Sequence, residues 1–210
     1  MTKEQLDGDR VFLIHDFLPQ AACVELIQRS ESLAWEVGTV GGDVITDVRN
    51  NDRVLFDDPP LAADLFRRAR AFLPDEIEGL TLVGFNERWR FYRYRPGQIF
   101  KPHRDGMYQR LELWEESHLT FMIYLNGRMT GGQTRFFVGM EEAFRGQPYL
   151  SVEPKEGMAL VFVHRIWHEG ALVESGQKYV LRTDVMYGPA AKPSTWTAEP
   201  AAAPDRGGDR

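Results

Sequence analysis

From Thr81 onward the sequence alternates short β-rich runs with turn residues, and this pattern restricts the fold more than any other feature of the chain. The predicted strands are Arg88–Tyr94, His118–Leu125, Gln133–Val138, Met158–Val163 and Lys178–Tyr187. Dipeptides such as Pro96-Gly97 and Asn126-Gly127 separate these runs, and no helical pattern intervenes. Many short strands at modest spacing are typical of an antiparallel sandwich or jelly roll.

Residues 1–80 show helical patterns instead. Apolar residues recur at helical spacing between Phe17 and Trp35, and Cys23 lies on this apolar stripe, so we expect it to be buried. A second helix is predicted from Pro60 to about Phe72, with Asp58 as its N-cap. The fold is therefore predicted to be mainly β with N-terminal helices. Its parts are a helical and connecting region at 1–80, a jelly-roll core at 81–188 and a disordered tail, rich in Ala, Pro, Gly and charge, at 189–210.

The composition argues against several classes of protein. A formal net charge of −6 and the absence of a basic stripe make nucleic acid an unfavourable partner. No apolar run approaches the length of a membrane span, and the charged N-terminus lacks the apolar stretch of a secretory signal. Cys23 is the single cysteine, so no internal disulfide can form. We expect a cytoplasmic protein, and the sequence makes no prediction of its oligomeric state.

The segment from Tyr94 to Gly106 contains the first candidate site residues. In an extended chain, residues two apart project to the same side, so His103 and Asp105 would aim an imidazole and a carboxylate at one point. With a second histidine they would form the facial triad that holds Fe(II) and leaves three positions open. His168 and His164 are the candidates for that second histidine, because both follow the same predicted strand.

The last predicted strand contains two cations on one face. Alternation places Lys178 and Arg182 on the same side of the strand as Val180. A cation that faces an apolar interior is costly unless an anion meets it there, and a dicarboxylate cosubstrate would supply such an anion. Arg182 could grip a carboxylate with two hydrogen bonds or pair with Asp184, whereas Lys178 would act as a point charge.

These motifs, taken in order, resemble the prolyl 4-hydroxylase-type branch of the iron and 2-oxoglutarate dependent dioxygenases. The matching pieces are Tyr94-Arg-Pro-Gly, Lys-Pro-His103-Arg-Asp105, Thr120-Phe-Met-Ile-Tyr-Leu-Asn126, Gly131-Gly-Gln-Thr134-Arg-Phe136 and His168-Glu-Gly with Lys178 ten residues later. The likeness extends over almost the whole span from Phe12 to Tyr187. It implies a double-stranded β-helix, which is a jelly roll.

The resemblance also implies roles for individual residues. His103, Asp105 and His168 would be the metal ligands, and the His-Glu-Gly match favours His168 over His164. Lys178 would pair with the distal carboxylate of 2-oxoglutarate. Tyr94 would hydrogen-bond to the same carboxylate, and Arg182 is the alternative anchor.

The chemistry implied by the resemblance needs Fe(II), 2-oxoglutarate and O2, with ascorbate as a candidate reductant. It is the hydroxylation of an unactivated C–H bond with release of succinate and CO2. Asp105 is intact where related halogenases have a small residue, so hydroxylation is the expected outcome. The default substrate is a peptidyl proline or a related amino-acid group. A free amino acid, a small natural-product intermediate and a non-catalytic metal-binding module remain as alternatives.

The strand before the candidate metal loop contains the candidate substrate residues. Arg90 and Tyr92 share the parity of Tyr94, so all three side chains should face the same cavity. Arg90 could bind an acidic group of a substrate or pair with a structural carboxylate. The sequence assigns no role to His118 or His164.

Overall fold

The structure is a computed structural model that describes residues 1–39, 42–43 and 45–190. The predicted disordered tail therefore lies outside the described residues from position 191 onward. No helix in the described part of the chain is long and apolar enough to cross a membrane.

Strands dominate the described residues. The α-helices are α1 (Gln20–Glu31), α2 (Pro59–Ala69) and α3 (Met140–Arg145), and single turns of 3-10 helix occur at Arg70–Phe72 and Leu111–Leu113. The strands, in chain order, are β1 (Thr2–Asp7), β2 (Val11–His15), β3 (Glu36–Val37), β4 (Asp52–Asp57), β5 (Glu76–Ile77), β6 (Leu80–Phe85), β7 (Arg88–Tyr94), β8 (Phe100–His103), β9 (Gln109–Arg110), β10 (Glu115–Tyr124), β11 (Thr130–Gly131), β12 (Thr134–Phe137), β13 (Leu150–Val152), β14 (Ala159–Val163), β15 (Trp167–Gly170), β16 (Val173–Ser175) and β17 (Lys178–Gly188).

The described strands form a long sheet, a short sheet and a two-stranded sheet of β11 and β16, and all named strand pairs are antiparallel. The long sheet follows the order β1-β2-β14-β10-β17-β7-β4-β3, with β5, β6 and β9 joined beside this path. The short sheet follows the order β13-β12-β15-β8. This mainly β architecture confirms the predicted fold class and is consistent with a jelly-roll core.

The central strands of the long sheet are buried on both faces. Since successive side chains of a strand point to opposite sides, each of these strands contributes to two layers of the core. One face packs against α1 and α2, and Phe91, Phe121 and Leu181 belong to this layer. The opposite face packs with the short sheet, where Tyr124 of β10 and Phe136 of β12 share one buried cluster. Side chains on this second face therefore point into the space between the sheets, which is where the candidate site lies.

Residues 1–80 contribute strands as well as the two predicted helices. Helix α2 begins after Asp58, whose carboxylate accepts a hydrogen bond from the backbone N–H of Leu61 at 2.9 Å, as the capping prediction requires. Strands β1, β2 and β4 were not predicted, and they extend the long sheet. The boundary at residue 80 therefore does not divide the sheet from the remainder of the fold. In β2 the apolar run Val11–Ile14 is buried on both faces, so it lacks the alternation that marks a strand.

Phe121 lies where the long sheet meets the helical layer, and its removal should destabilise the fold. Its side chain is fully buried and packs on Phe17 and Phe85 with ring centroids 5.1 and 4.6 Å away. Phe121→Ala should lower the free energy of unfolding by about 3–5 kcal/mol, because it leaves a cavity. Urea denaturation would measure this loss. Val83→Ala, at a 40% exposed position of β6, is the control and should change stability by less than about 0.5 kcal/mol.

Candidate active site

The three predicted metal ligands converge between the two sheets. His103 ends β8 and lies directly opposite His168 of β15 in the antiparallel ladder. Asp105 follows β8, and its backbone N–H donates to the carbonyl of His164 at 3.0 Å. The Nε2 atoms of His103 and His168 lie 3.8 and 3.6 Å from the carboxylate oxygens of Asp105. All three side chains offer ligand atoms within 4.8 Å of one another.

Both histidine rings are oriented by backbone carbonyls. The Nδ1 atom of His103 lies 2.8 Å from the carbonyl oxygen of Lys101, and that of His168 lies 2.9 Å from the carbonyl oxygen of Ile166. Because a carbonyl only accepts hydrogen bonds, Nδ1 carries the proton in each ring and Nε2 keeps its lone pair. Burial lowers the pKa of both histidines. The two rings are therefore neutral at pH 7, which is the form that binds a metal.

Asp105 is a buried carboxylate that accepts hydrogen bonds from two neighbouring side chains. Its Oδ2 atom accepts hydrogen bonds from Thr120 Oγ1 at 2.5 Å and from Arg182 Nη2 at 3.0 Å. Burial raises the pKa of Asp105, but the positive charge of Arg182, with smaller contributions from the neighbouring histidines, outweighs this effect and holds the pKa well below its usual range. Two imidazole nitrogens and one ionised carboxylate are the donor set of the Fe(II) facial triad, so these residues fit that metal.

A pocket extends from the triad to a buried lysine. Lys178 is 2% exposed, and its Nζ atom donates to the carbonyl of Gly132 at 2.6 Å. Among the described residues no carboxylate lies within ion-pair distance of this amine. Burial lowers the pKa of Lys178 to about 7, against a smaller opposite effect of Glu153. A buried amine without an anionic partner is suited to receive a carboxylate from a ligand.

Aromatic hydroxyls accompany Lys178 at its end of the pocket. The amine lies 5.1 Å from the ring centroid of Tyr94 and 5.4 Å from that of Tyr124. The Tyr124 hydroxyl donates to Thr134 Oγ1 at 2.7 Å, and Thr134 lines the pocket. A Cβ atom at Gly170 would lie only 3.3 Å from the Tyr94 hydroxyl oxygen, so the glycine keeps room for that group. The sequence predicted no role for Tyr124 or Thr134, although both lie within the motifs that resemble those of the dioxygenase family.

Arg182 lies at the end of the pocket that contains His103, Asp105 and His168, which we call the metal end, and not beside Lys178. Apart from Asp105, it contacts the Tyr92 hydroxyl through Nη1 at 3.3 Å and Asp184 through Nη2 at 3.4 Å. Arg90 donates to the other carboxylate oxygen of Asp184 at 3.0 Å. The predicted pairing of Arg182 with Asp184 is present. Arg90 pairs with the same structural carboxylate, which is one of the two roles predicted for it.

His164 belongs to a hydrogen-bonded chain behind the triad and is not among its three candidate ligands. Its Nδ1 atom lies 3.0 Å from Thr120 Oγ1, and its Nε2 atom lies 2.8 Å from Ser117 Oγ. The single hydroxyl proton of Thr120 goes to Asp105, so Nδ1–H of His164 donates to Thr120. Burial lowers the pKa of His164 to about 4, which keeps the ring neutral. His118 instead contacts Glu116 at 2.9 Å, away from the triad.

Comparison with known proteins agrees with this geometry. Residues 89–183 match the family model of the 2OG-Fe(II) oxygenase superfamily. This segment, which contains all three candidate ligands and Lys178, is therefore a 2OG-Fe(II) oxygenase domain. Its class is that of the iron and 2-oxoglutarate dependent dioxygenases, for which Fe(II), 2-oxoglutarate and O2 are the implied cofactor and cosubstrates.

Prolyl hydroxylases are among the similar proteins within this class, as the motifs predicted. Prolyl 4-hydroxylase 1 of Arabidopsis thaliana is 26% identical over 194 residues, which cover 81% of this chain and 66% of the plant protein. The chain thus spans slightly less than two thirds of that relative's length. A Pseudomonas putida prolyl-4-hydroxylase superposes with a TM-score of 0.62 at 20% identity, covering 84% of this chain and 92% of that chain.

A third relative has the same fold. The Trichoplax adhaerens prolyl hydroxylase, solved with a peptide of hypoxia inducible factor, gives a TM-score of 0.65 at 16% identity and covers 86% of this chain and 85% of its own. At this identity the likeness establishes the fold alone.

The pKa of Lys178 predicts how 2-oxoglutarate affinity depends on pH. Its ammonium form is lost in the ligand-free protein above about pH 7, so binding a carboxylate must take up a proton there. With metal saturating, affinity should fall up to about tenfold per pH unit above neutrality. Calorimetry in two buffers of different ionisation enthalpy would measure the affinity and the proton uptake.

The control for this experiment is Lys178→Arg, whose guanidinium stays charged throughout the range. Its affinity for 2-oxoglutarate should not depend on pH. Equal pH dependence in both proteins would contradict the assignment of the titrating group to Lys178.

Proposed function

We propose that this chain hydroxylates an unactivated C–H bond. One oxygen atom of O2 enters the product hydroxyl and the other enters succinate, as 2-oxoglutarate loses CO2. The observation that carries this proposal is the position of Lys178. A buried amine without a carboxylate partner shares one pocket with a complete His-Asp-His donor set. A metal-binding module without turnover has no need of such an amine.

The residues of the pocket would divide the binding tasks between them. His103, Asp105 and His168 would hold Fe(II), which supplies O2 activation when it is bound. Lys178 would form an ion pair with the distal carboxylate of 2-oxoglutarate, and Tyr94 would donate a hydrogen bond to it. The backbone carbonyls behind the two histidines fix the rings, so that Nε2 of each faces the metal position.

Other side chains would hold the site in its reactive arrangement. Thr120 and Arg182 both hydrogen-bond to Oδ2 of Asp105 and restrain its orientation. Phe100 stacks on the His103 ring with centroids 3.5 Å apart, and Phe162 packs against His168 at 4.6 Å. These apolar walls exclude water from the ligand rings. The carboxylate at position 105 supports hydroxylation as the outcome, since it occupies the place that a halide would need.

The prolyl hydroxylase relatives support a prolyl residue or a related amino-acid group as substrate. A free amino acid or another small molecule is the alternative within the same chemistry. Arg90 and Tyr92 are the proposed substrate-facing residues, because Tyr92 lines the pocket and Arg90 precedes it by two positions on the same face of β7.

The metal assignment can be tested by anaerobic titration of the apo protein with Fe(II) and 2-oxoglutarate. The wild type should develop the visible charge-transfer band of the chelate, and His168→Ala should not, because the site loses one of its three protein ligands. His118→Ala is the matched control, since that ring lies outside the triad, and it should keep the band. A band of full intensity in His168→Ala would contradict the assignment.

Turnover provides a second test of the proposed function. Asp105→Ala should abolish substrate-dependent succinate release while circular dichroism shows an unchanged fold. The matched control is Asp64→Ala, which removes an exposed carboxylate from α2 and should retain full activity. Retained hydroxylation in Asp105→Ala would overturn the role of this carboxylate.

A further inference from the structure

Three arginines lie near the Tyr92 side chain, and we call Arg49, Arg90 and Arg182 the arginine cluster. Tyr92 and Arg182 line the pocket. Arg182 Nη1 lies 3.3 Å from the Tyr92 hydroxyl, and the Arg49 guanidinium lies 4.6 Å from the Tyr92 ring centroid. Arg90 precedes Tyr92 by two positions on the same face of β7. Burial raises the pKa of Tyr92, yet the three cations outweigh this effect and lower it. The surroundings of Tyr92 are therefore strongly positive.

The carboxylates near Arg90 and Arg182 are too few to balance the positive charges of both side chains. Both contact Asp184, at 3.0 and 3.4 Å. The second anionic partner of Arg182 is Asp105, whose charge is committed to Fe(II) in the loaded protein. Two guanidinium groups thus share one carboxylate, and one positive charge stays uncompensated.

Arg49 adds a second uncompensated charge. It is 5% exposed, and its hydrogen bonds among the described residues go to the neutral acceptors Asn51 Oδ1 at 2.8 Å and the Thr39 carbonyl at 3.4 Å. Its guanidinium lies over the Phe100 ring at 4.4 Å, and Phe100 lines the pocket. Its Nη2 atom is buried without a hydrogen-bond partner among the described residues. A buried cation without an anion is costly.

The cosubstrate does not balance these two charges. In the proposed function the distal carboxylate of 2-oxoglutarate neutralises Lys178. The remaining carboxylate of the cosubstrate and that of Asp105 would together balance the charge of Fe(II). The surplus at the arginine cluster therefore persists in the loaded site, where Arg182 of the cluster lines the pocket directly.

We propose that the substrate of this site has a carboxylate, which binds to the arginine cluster and so orients the reacting C–H bond. The planar guanidinium group matches a carboxylate and can hold it with two hydrogen bonds. This favours a free amino acid or another small carboxylic acid over an internal prolyl residue, whose carboxyl group is an amide. The inference rests on the proposed function and specifies its substrate class.

The test compares acids with their amides on the anaerobic protein loaded with Fe(II) and 2-oxoglutarate. The probes are the free proteinogenic amino acids, L-proline included, each paired with its C-terminal amide, and N-acetyl-L-prolinamide as the mimic of an internal prolyl residue. Calorimetry measures binding without turnover, and succinate release in air then measures stimulation. At least one free acid should bind and stimulate succinate release, and the affinity for its amide should be lower by about tenfold or more.

Variants of the cluster that do not touch the triad link this preference to the arginines. Arg49→Gln and Arg90→Gln should each weaken binding of the acid about tenfold and leave binding of the amide unchanged. Both should keep the charge-transfer band of the wild type. Arg53→Gln is the matched control, because that arginine pairs with Glu36 on a neighbouring strand at 2.8 Å. It should bind the acid as the wild type does.

Two results would overturn the inference. One is equal binding of acids and amides, or tighter binding of N-acetyl-L-prolinamide. The other is that no free acid binds to a protein whose charge-transfer band has formed. If the wild-type band itself fails to form, the proposed function fails, and this outcome is distinct from both.

Discussion

The buried carboxylate of Asp105 is the group on which most of the site depends. An ionised carboxylate between two sheets is stable only when donors and cations surround it. Thr120 of β10 and Arg182 of β17 donate to it from the long sheet. The neutral rings of His103 and His168, on β8 and β15 of the short sheet, turn their Nε2 lone pairs toward the same point. Both β10 and β17 must therefore be in place before this charge is tolerated. The same arrangement that stabilises the carboxylate places both imidazoles next to it.

The pocket has two ends with different electrostatic character. At the inner end Lys178 is a lone amine, and burial brings its pKa to about 7, so the ligand-free site avoids most of the cost of an unpaired charge. At the metal end the cations are arginines, which stay charged whatever their surroundings. A lysine can lose its proton before a ligand binds, whereas Arg90 and Arg182 stay charged and contact the carboxylates of Asp184 and Asp105. In the proposed function, this difference would separate the end that binds the cosubstrate from the end that binds the substrate.

Fold likeness and substrate choice come from different parts of the molecule. The prolyl hydroxylases share the double-stranded sheet architecture at 16–20% identity, and such a likeness carries no information about the group that is oxidised. The arginine cluster involves the strands β7 and β17 together with Arg49 at the segment that bridges to Phe100. In the proposed function, the side chains at this end, and not the jelly roll itself, would determine which substrate charge is tolerated.

Local sequence patterns determined several strands and helices and pointed to the candidate metal ligands. Strand β7 has the predicted bounds Arg88–Tyr94, helix α2 starts after its predicted cap, and the candidate ligands follow from a His-x-Asp motif and a family resemblance. Alternation and capping act between neighbours in the chain, so the sequence determines them directly. The pairing of β1, β2 and β4 with the long sheet was decided only by the tertiary structure. So were the hydrogen bond of His164 to Thr120 and the sharing of Asp184 by two arginines, because these contacts join residues that are far apart in the chain and depend on which strands meet.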